Sequence, residues 1–458
     1  MSNKVIVAGV GMTPFVKPGS NDPYTVMGAN AINEALADAG IGYDQVRQAC
    51  VGYVYGDSTS GQRVLYQVGM TGIPVINVNN NCSTGSTAIY LARQAVESGA
   101  VDCAIAVGFE QMAKGALSEV WSDRPGPLDE FVDLANEWSG DPEAPMALKM
   151  FSGAGISYQN KYGARDETFA KIRAKASRHA VHNDKAIFRT EVTVDEVMES
   201  PRLTKLLTRL QCCPPTCGAG AAILCSETFA RKHGIDTSVV IAGQAMTTDF
   251  PSTFEAQDLM QMVGYDMTAA AAKSVYEQAG AGPEDVDVVE LHDCFTANEL
   301  ITYEGLGLTS EGTAEKFIWD GDNTYGGKVV TNPSGGLLSK GHPLGATGLA
   351  QCYELTHQLR GDIGKRQVEG AKTALQHNLG LGGAGVVTMY QKLEDAIAMD
   401  KAKLEKLREL YGDADGSVYL TERFKHVGEK LADRPHSTTK PFAGVSTFLD
   451  MPHQPEFE

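Results

Sequence analysis

"INVNNNCSTGSTAIYLARQAVESG", residues 76–99, sets an apolar strand pattern against three asparagines, a cysteine and a run of small residues that opens a helix pattern. Apolar positions then recur at helical spacing through "AIYLARQAVESG", so a strand ends and a helix begins around Cys82. A helix N-terminus offers unpaired N–H groups and the positive end of the dipole, which lower a thiol pKa and favour the thiolate. Free cysteine is also among the most buried residue types, so this stretch alone leaves Cys82 open between core residue and nucleophile.

The pattern recurs. "GHPLGATGLAQCYEL" (341–355) puts His342, Gly345 and Thr347 in register with Cys82, Gly85 and Thr87. Farther out, "VAGVGMT" (7–13) returns as "IAGQAMT" (241–247), "AGIGYDQV" (39–46) as "AGAGPEDV" (279–286), and "GAGAAILC" (218–225) as "GAGVVTMY" (383–390). Ordered self-similarity predicts a duplicated core whose halves pack about a pseudo-twofold axis, turning the thiol of Cys82 toward the imidazole of His342. Strand patterns alternating with helix patterns make that core a layered α/β fold. Residues 1–112 with 218–237 form the first half and residues 238–392 the second. Residues 113–217 are an insertion, and residues 393–458 read as an amphipathic helix followed by an extended tail.

Composition narrows the partners. A net charge of −18 over 458 residues argues against nucleic acid as a general partner and leaves room only for a local basic mouth. No run of eighteen apolar residues suggests a membrane span. Nine scattered cysteines, no leading apolar segment and a "QPEFE" ending unlike a peroxisomal S-K-L address lead to the expectation of a reducing, cytoplasmic location.

Three further stretches carry candidate chemistry. "VVELHDCFTANEL" (288–300) breaks from an apolar run into His292 and Cys294, where a strand should end. "SKGHPLGATG" holds His342 among glycines, and "HNLGLGGAG" (377–385) makes a glycine turn whose N–H groups could bind an oxyanion. His377 could line the site or anchor that turn, the second reading being preferred. Cys212, Cys213 and Cys217 in "QCCPPTCGAG" lack the spacing and the nearby histidine of a zinc site. Cys50, Cys103, Cys225 and Cys352 read as core residues, and His179 carries no readable signal.

With "NNNCSTGSTA", "HDCF", "GHPLGATG" and "HNLGLGGA" all present in the chain, residues 4–392 resemble the thiolase superfamily, and within it the sterol-carrier-protein-type thiolases. The resemblance implies a five-layered α/β/α/β/α fold, an inserted loop domain that contributes to coenzyme A binding, and a homodimer or homotetramer. It also implies acyl-CoA and coenzyme A as substrates, no permanently bound cofactor or metal, and a small OB-fold protein as a further partner. By resemblance Cys82 is acylated, and His342 activates it and helps hold an enolate oxygen. The sequence departs from the common pattern at Gly380, where most thiolases carry the acid/base cysteine. The resemblance implies that Cys294 takes over that role, that His292 replaces an oxyanion-binding asparagine, and that the N–H groups of Cys82 and Gly382 form a second oxyanion hole. Lys171, Arg173, Lys175 and Arg178 could meet the phosphates of coenzyme A, although a charge run at helical spacing is usually a solvated face.

The leading expectation is thiolytic cleavage of a 3-oxoacyl-CoA, or the reverse condensation. Acyl transfer to another acceptor, retro-aldol cleavage on the same fold, and an acyl-CoA- or lipid-binding scaffold without turnover remain as alternatives.

Overall fold

Strand β1 (Val5–Met12) is apolar along its whole length and buried on both faces, the pattern of a strand covered by helices on either side. The structure, a computed structural model, describes residues 4–113 and 121–411. The first half adds β2 (Gln48–Gly52), β3 (Val75–Val78), β4 (Cys103–Glu110) and β5 (Gly218–Ser226). The second supplies β6 (Val239–Thr247), β7 (Val288–Glu290), β8 (Val330–Thr331), β9 (Thr373–Gly380) and β10 (Ala384–Lys392). Their order, β3-β2-β4-β5-β1-β6-β10-β9-β7-β8, is one five-strand sequence written twice and joined through the antiparallel pair Ile6 and Val240.

The duplication reaches down to irregularities. In each half one inner strand, β2 or β7, runs parallel to its two neighbours, and antiparallel pairs bring the sheet back to the middle. The register slips by one residue at Ala8 when β1 meets β5, and at the equivalent Ala242 when β6 meets β10, so the repeated "VAG" and "IAG" each mark a bulge. The adjoining glycines admit a helix on the outer face. A Cβ on Gly9 would lie 2.3 Å from the Ala35 carbonyl oxygen, and one on Gly243 would lie 2.7 Å from that of Val275.

Those outer helices, Tyr24–Ala39 and Tyr265–Ala279, cover the two halves. Between the halves lie the helix Thr84–Glu97 and its repeat partner Thr347–Arg360, in contact with each other and with strands of both copies. The layers are therefore α/β/α/β/α, with the two strand layers hydrogen-bonded at β1 and β6. Gly85 and Gly345, aligned in the repeat, meet at the centre. A Cβ on Gly85 would stand 2.7 Å from the Gly345 carbonyl oxygen, and one on Gly348 only 2.3 Å from the Ser86 nitrogen.

Glu110 at the end of β4 pairs with Gly218 at the start of β5, so the chain leaves the sheet and returns at adjacent points. In the second copy the same connection is the short turn 381–383. The long excursion carries helices Met146–Tyr162 and Asp166–Ala180, whose Phe151 and Phe169 share one buried cluster with Leu300 and Leu375 of the second half. The expected amphipathic helix after the repeat is present as Leu393–Tyr411. The tail predicted beyond it lies outside the described residues. Among the described residues no helix is long and apolar enough to cross a membrane.

Gly348→Ala is expected to destabilise the fold by about 1–3 kcal/mol or more, because the methyl group would meet both the backbone nitrogen and the side-chain oxygen of Ser86 at 2.3 Å. Equilibrium urea unfolding measures this, and a loss below about 0.5 kcal/mol, the range of ordinary surface substitutions, would refute the contact at the axis.

Candidate active site

The three asparagines before Cys82 build the turn that presents it. Asn81 is left-handed, at φ 50°, a conformation that asparagine tolerates better than most residues. The Asn79 side-chain oxygen accepts the Asn81 N–H at 3.1 Å, Asn80 N–H donates to Thr84 Oγ1 at 2.9 Å, and Asn81 Nδ2 donates to the Leu381 carbonyl at 3.2 Å. These side-chain bonds satisfy backbone groups of the turn and tie it to the β9–β10 turn at Leu381.

This turn meets the ends of β7 and β9 and the loop before helix Thr347–Arg360. Cys82, His292, Cys294 and His342 line one cavity of about 120 Å³, walled largely by apolar side chains such as Met112, Phe151 and Leu379. The imidazole rings of His292 and His342 stand 5.0 Å apart, nearly perpendicular at 85°. Ligand atoms of Cys82, His292 and His342 fall within 4.8 Å of one another, the spacing by which these three could approach a metal ion. Gly382 is the predicted site residue that the structure does not gather with them. It stands in the β9–β10 turn at φ 88° and lies outside the cavity lining. Gly380 presses on the Cys82 turn instead, where a Cβ would lie 2.2 Å from the Asn80 carbonyl oxygen.

The state of His342 follows from its hydrogen bonds. Thr347 Oγ1 lies 3.0 Å from the Pro343 carbonyl and 2.7 Å from His342 Nδ1; with its hydrogen on the carbonyl, the ring N–H at Nδ1 is the donor. Nε2 then carries the lone pair, and it is buried without a hydrogen-bond partner. Burial, with the Lys340 charge beside it, lowers the imidazole to about 3, so the ring is a neutral acceptor at physiological pH.

Desolvation governs the other groups as well. Burial pushes the Cys82 thiol up to about 12, and the Glu110 carboxylate adds to the shift. Burial of the sulfur and the Glu110 charge thus oppose the lowering expected from the helix start. Burial raises Cys294 well above the ordinary thiol value, with Cys213 and Cys82 contributing, and lowers His292 well below the ordinary imidazole value, with His342 and His377 contributing. The site rests with neutral thiols and neutral rings.

Some contributors were not legible beforehand. Glu110, buried at the end of β4, accepts N–H groups of Val54, Tyr55 and Gly345 at 3.1, 2.9 and 2.9 Å, tying the His342 loop to the first half. Burial pushes its carboxyl up to about 7 against those bonds. Cys213 lines the cavity, and its N–H donates to the Cys294 carbonyl at 2.9 Å. The two prolines that follow it were the signal of an extended segment that could cross a site. Asn378, one residue after His377, bonds both Cys82 and His292. His377 takes the His292 N–H on Nδ1 at 3.4 Å and contacts Thr268 Oγ1 at 3.0 Å through Nε2, contacts that reach the His292 loop and helix Tyr265–Ala279 rather than the glycine turn.

The charge run on Asp166–Ala180 is not a solvated face. Arg173 and Lys175 are buried, bonded to Ser339 and to Glu299, which leaves neither free for a phosphate. Lys171 lies over the Trp319 ring at 4.4 Å, and Arg178 is exposed. His179, unreadable in the sequence, is buried with its ring nitrogens on the Asn332 carbonyl and Thr324.

Comparison with known proteins agrees with this fold. Residues 5–228 match the family model "Thiolase, N-terminal domain", and residues 248–390 match "Thiolase C-terminal domain-like". The chain belongs to the thiolase family, whose members are acyl-CoA acyltransferases. It is 51% identical to sterol carrier protein 2 of Oryctolagus cuniculus, over 97% of this chain and 82% of that protein. It is 37% identical to the benzoylsuccinyl-CoA thiolase subunit BbsB of Thauera aromatica, over 83% of this chain and 96% of that one. Among solved structures, human mitochondrial 3-ketoacyl-CoA thiolase superposes with a TM-score of 0.64 at 19% identity, covering 85% of this chain and 99% of that chain. An "Ltp2-ChsH2(DUF35) aldolase" superposes at 0.71 with 21% identity, covering 85% and 98%.

A thiol held near 12 ionises in proportion to hydroxide across the neutral range. Alkylation of Cys82 by iodoacetamide, followed by peptide mass spectrometry, should rise about tenfold per pH unit from about pH 7 to 10. A plateau near pH 8 would show a standing thiolate and overturn the desolvated state.

Proposed function

We propose that the protein cleaves 3-oxoacyl-CoA with coenzyme A through an acyl group carried on Cys82, or runs the reverse condensation. The observation that carries this reading is the meeting of the Cys82 and Cys294 thiols with two neutral imidazoles in one largely apolar cavity, the His342 Nε2 being buried without a hydrogen-bond partner.

His342 Nε2 takes the Cys82 proton as the sulfur adds to the 3-oxo carbon. The bond between C2 and C3 breaks, and the electron pair moves into a thioester enolate whose oxygen meets N–H groups of the histidines. Cys294 gives its proton to C2, acetyl-CoA or propionyl-CoA leaves, and Cys294 remains as thiolate. In the second half Cys294 takes the proton of the coenzyme A thiol, whose sulfur attacks the acyl-Cys82. The departing Cys82 sulfur recovers its proton from His342, so thiols and imidazoles return to their starting state.

A nucleophilic cysteine beside its base favours acyl transfer over retro-aldol chemistry, the activity for which the aldolase among the structural neighbours is named. The partners in this reading are acyl-CoA and coenzyme A, a second copy of the chain, and a small OB-fold protein.

Intact mass after brief exposure to acetyl-CoA or acetoacetyl-CoA should show an acyl adduct of about 42 Da on wild type and none on Cys82→Ala. Cys294→Ala should acylate more slowly and lose thiolysis by about 10²–10⁴-fold, the usual worth of a positioned acid or base. Absence of any adduct, with longer acyl thioesters also tried, would sink the reaction and leave the scaffold reading.

A further inference from the structure

The proposed reaction asks His292 to present a proton to the enolate oxygen, yet a neutral imidazole carries that proton on either nitrogen. The hydrogen bonds around Asn378 decide which one. The Cys82 carbonyl can only accept, and Asn378 Nδ2 stands 3.1 Å from it, which fixes the amide with its nitrogen on that side. The same nitrogen is 3.0 Å from His292 Nδ1, so its second hydrogen points at that ring atom.

The amide is held from behind. Asn378 Oδ1 accepts the Ser86 hydroxyl at 2.8 Å, and Ser86 Oγ in turn accepts Gln376 Nε2 at 2.8 Å. Gln376 cannot be reversed, because Nε2 also donates to the Gly348 carbonyl at 2.8 Å while its oxygen accepts the Tyr390 hydroxyl at 2.6 Å. Every donor in this buried line runs one way, from Tyr390 through Gln376, Ser86 and Asn378 to His292.

We infer that Asn378 is a positioning residue that locks His292 with a bare Nδ1 and a protonated Nε2, the nitrogen left for the cavity. His292 and His342 then sit face to edge in opposite tautomers, one a donor and the other an acceptor. The chain divides the two tasks between rings that are chemically identical in sequence. With Nδ1 bare and Nε2 protonated, the ring has no lone pair on Nε2 for a metal ion, so the spacing of Cys82, His292 and His342 does not by itself make a metal site. The purpose of the lock rests on the proposed reaction, although its geometry stands without it.

Nitrogen-15 NMR of the wild-type protein labelled in histidine reads the tautomers directly. His292 should show a protonated Nε2 and a bare Nδ1, and His342 the reverse, with His292→Gln and His342→Gln assigning the signals. Asn378→Asp puts an acceptor beside Nδ1, so His292 should switch tautomer. Its kcat should fall about 10²–10³-fold, the loss of one oxyanion donor, while KM changes by less than about threefold. A His292 protonated on Nδ1 in wild type would overturn the inference. A folded Asn378→Asp with an unchanged His292 tautomer would overturn it as well. Failure of Cys82 to acylate, with the wild-type tautomers as stated, would remove the proposed reaction and leave the tautomer lock intact.

Discussion

Two backbones touch at the pseudo-twofold axis, and the site is built on that contact. Gly85 approaches the Gly345 carbonyl, Gly348 approaches the Ser86 nitrogen, and a Cβ on Gly108 in β4 would lie 2.0 Å from the Gly345 oxygen. Side chains at these positions would hold apart the helix starts of the two copies, and with them Cys82 and His342. The glycines are therefore required by distance rather than by turn conformation. A few tenths of an ångström matter here because packed backbone has no rotamer through which to yield.

The close fit also makes the site dry, and dryness sets its electrostatics. An isolated ionised group costs several kcal/mol to bury, so the reacting groups rest neutral and charge appears only as a proton moves. Permanent charges sit slightly behind, in pairs. Lys340 and Glu290, both fully buried at 3.0 Å, stand two residues before His342 and His292, so one ion pair joins the two histidine loops. The Lys340 charge helps keep His342 unprotonated and thus available as a base. A framework of paired charge fixes geometry, and unpaired chemistry occupies the cavity.

Much of this organisation was legible in the sequence because it was written twice. The repeated "VAG" and "IAG", the paired closing strands, and the alignment of Cys82 with His342 all follow from local patterns compared at a distance, and they recur in the strand order and even in the bulges. What was not legible depends on neighbours remote in sequence. Burial of Arg173 and Lys175 needs the second half to be in place, and the thiol state of Cys82 needs a cavity wall drawn from residues far along the chain. Asn378 lies inside the "HNLGLGGA" motif, yet the motif does not show its role, which is the orientation of a side-chain amide between two catalytic loops.

Duplication by itself would predict two sites, and the molecule has the parts for one. Equivalent positions hold Cys82 and His342, so the copies complement each other instead of repeating a function. The asymmetry is reinforced by the segment that returns to β5. Cys212 pairs with Phe295, Cys213 donates to the Cys294 carbonyl, Pro215 pairs with His342, and Thr216 Oγ1 accepts the His342 N–H at 3.2 Å. This limb joins both motifs of the second half to the sheet of the first, through Cys217 bonded to Val16. The second copy makes the corresponding connection with the short turn at 381–383 and has no such limb. A symmetric frame thus positions the helix starts, and the one unduplicated excursion closes a single composite cavity over them.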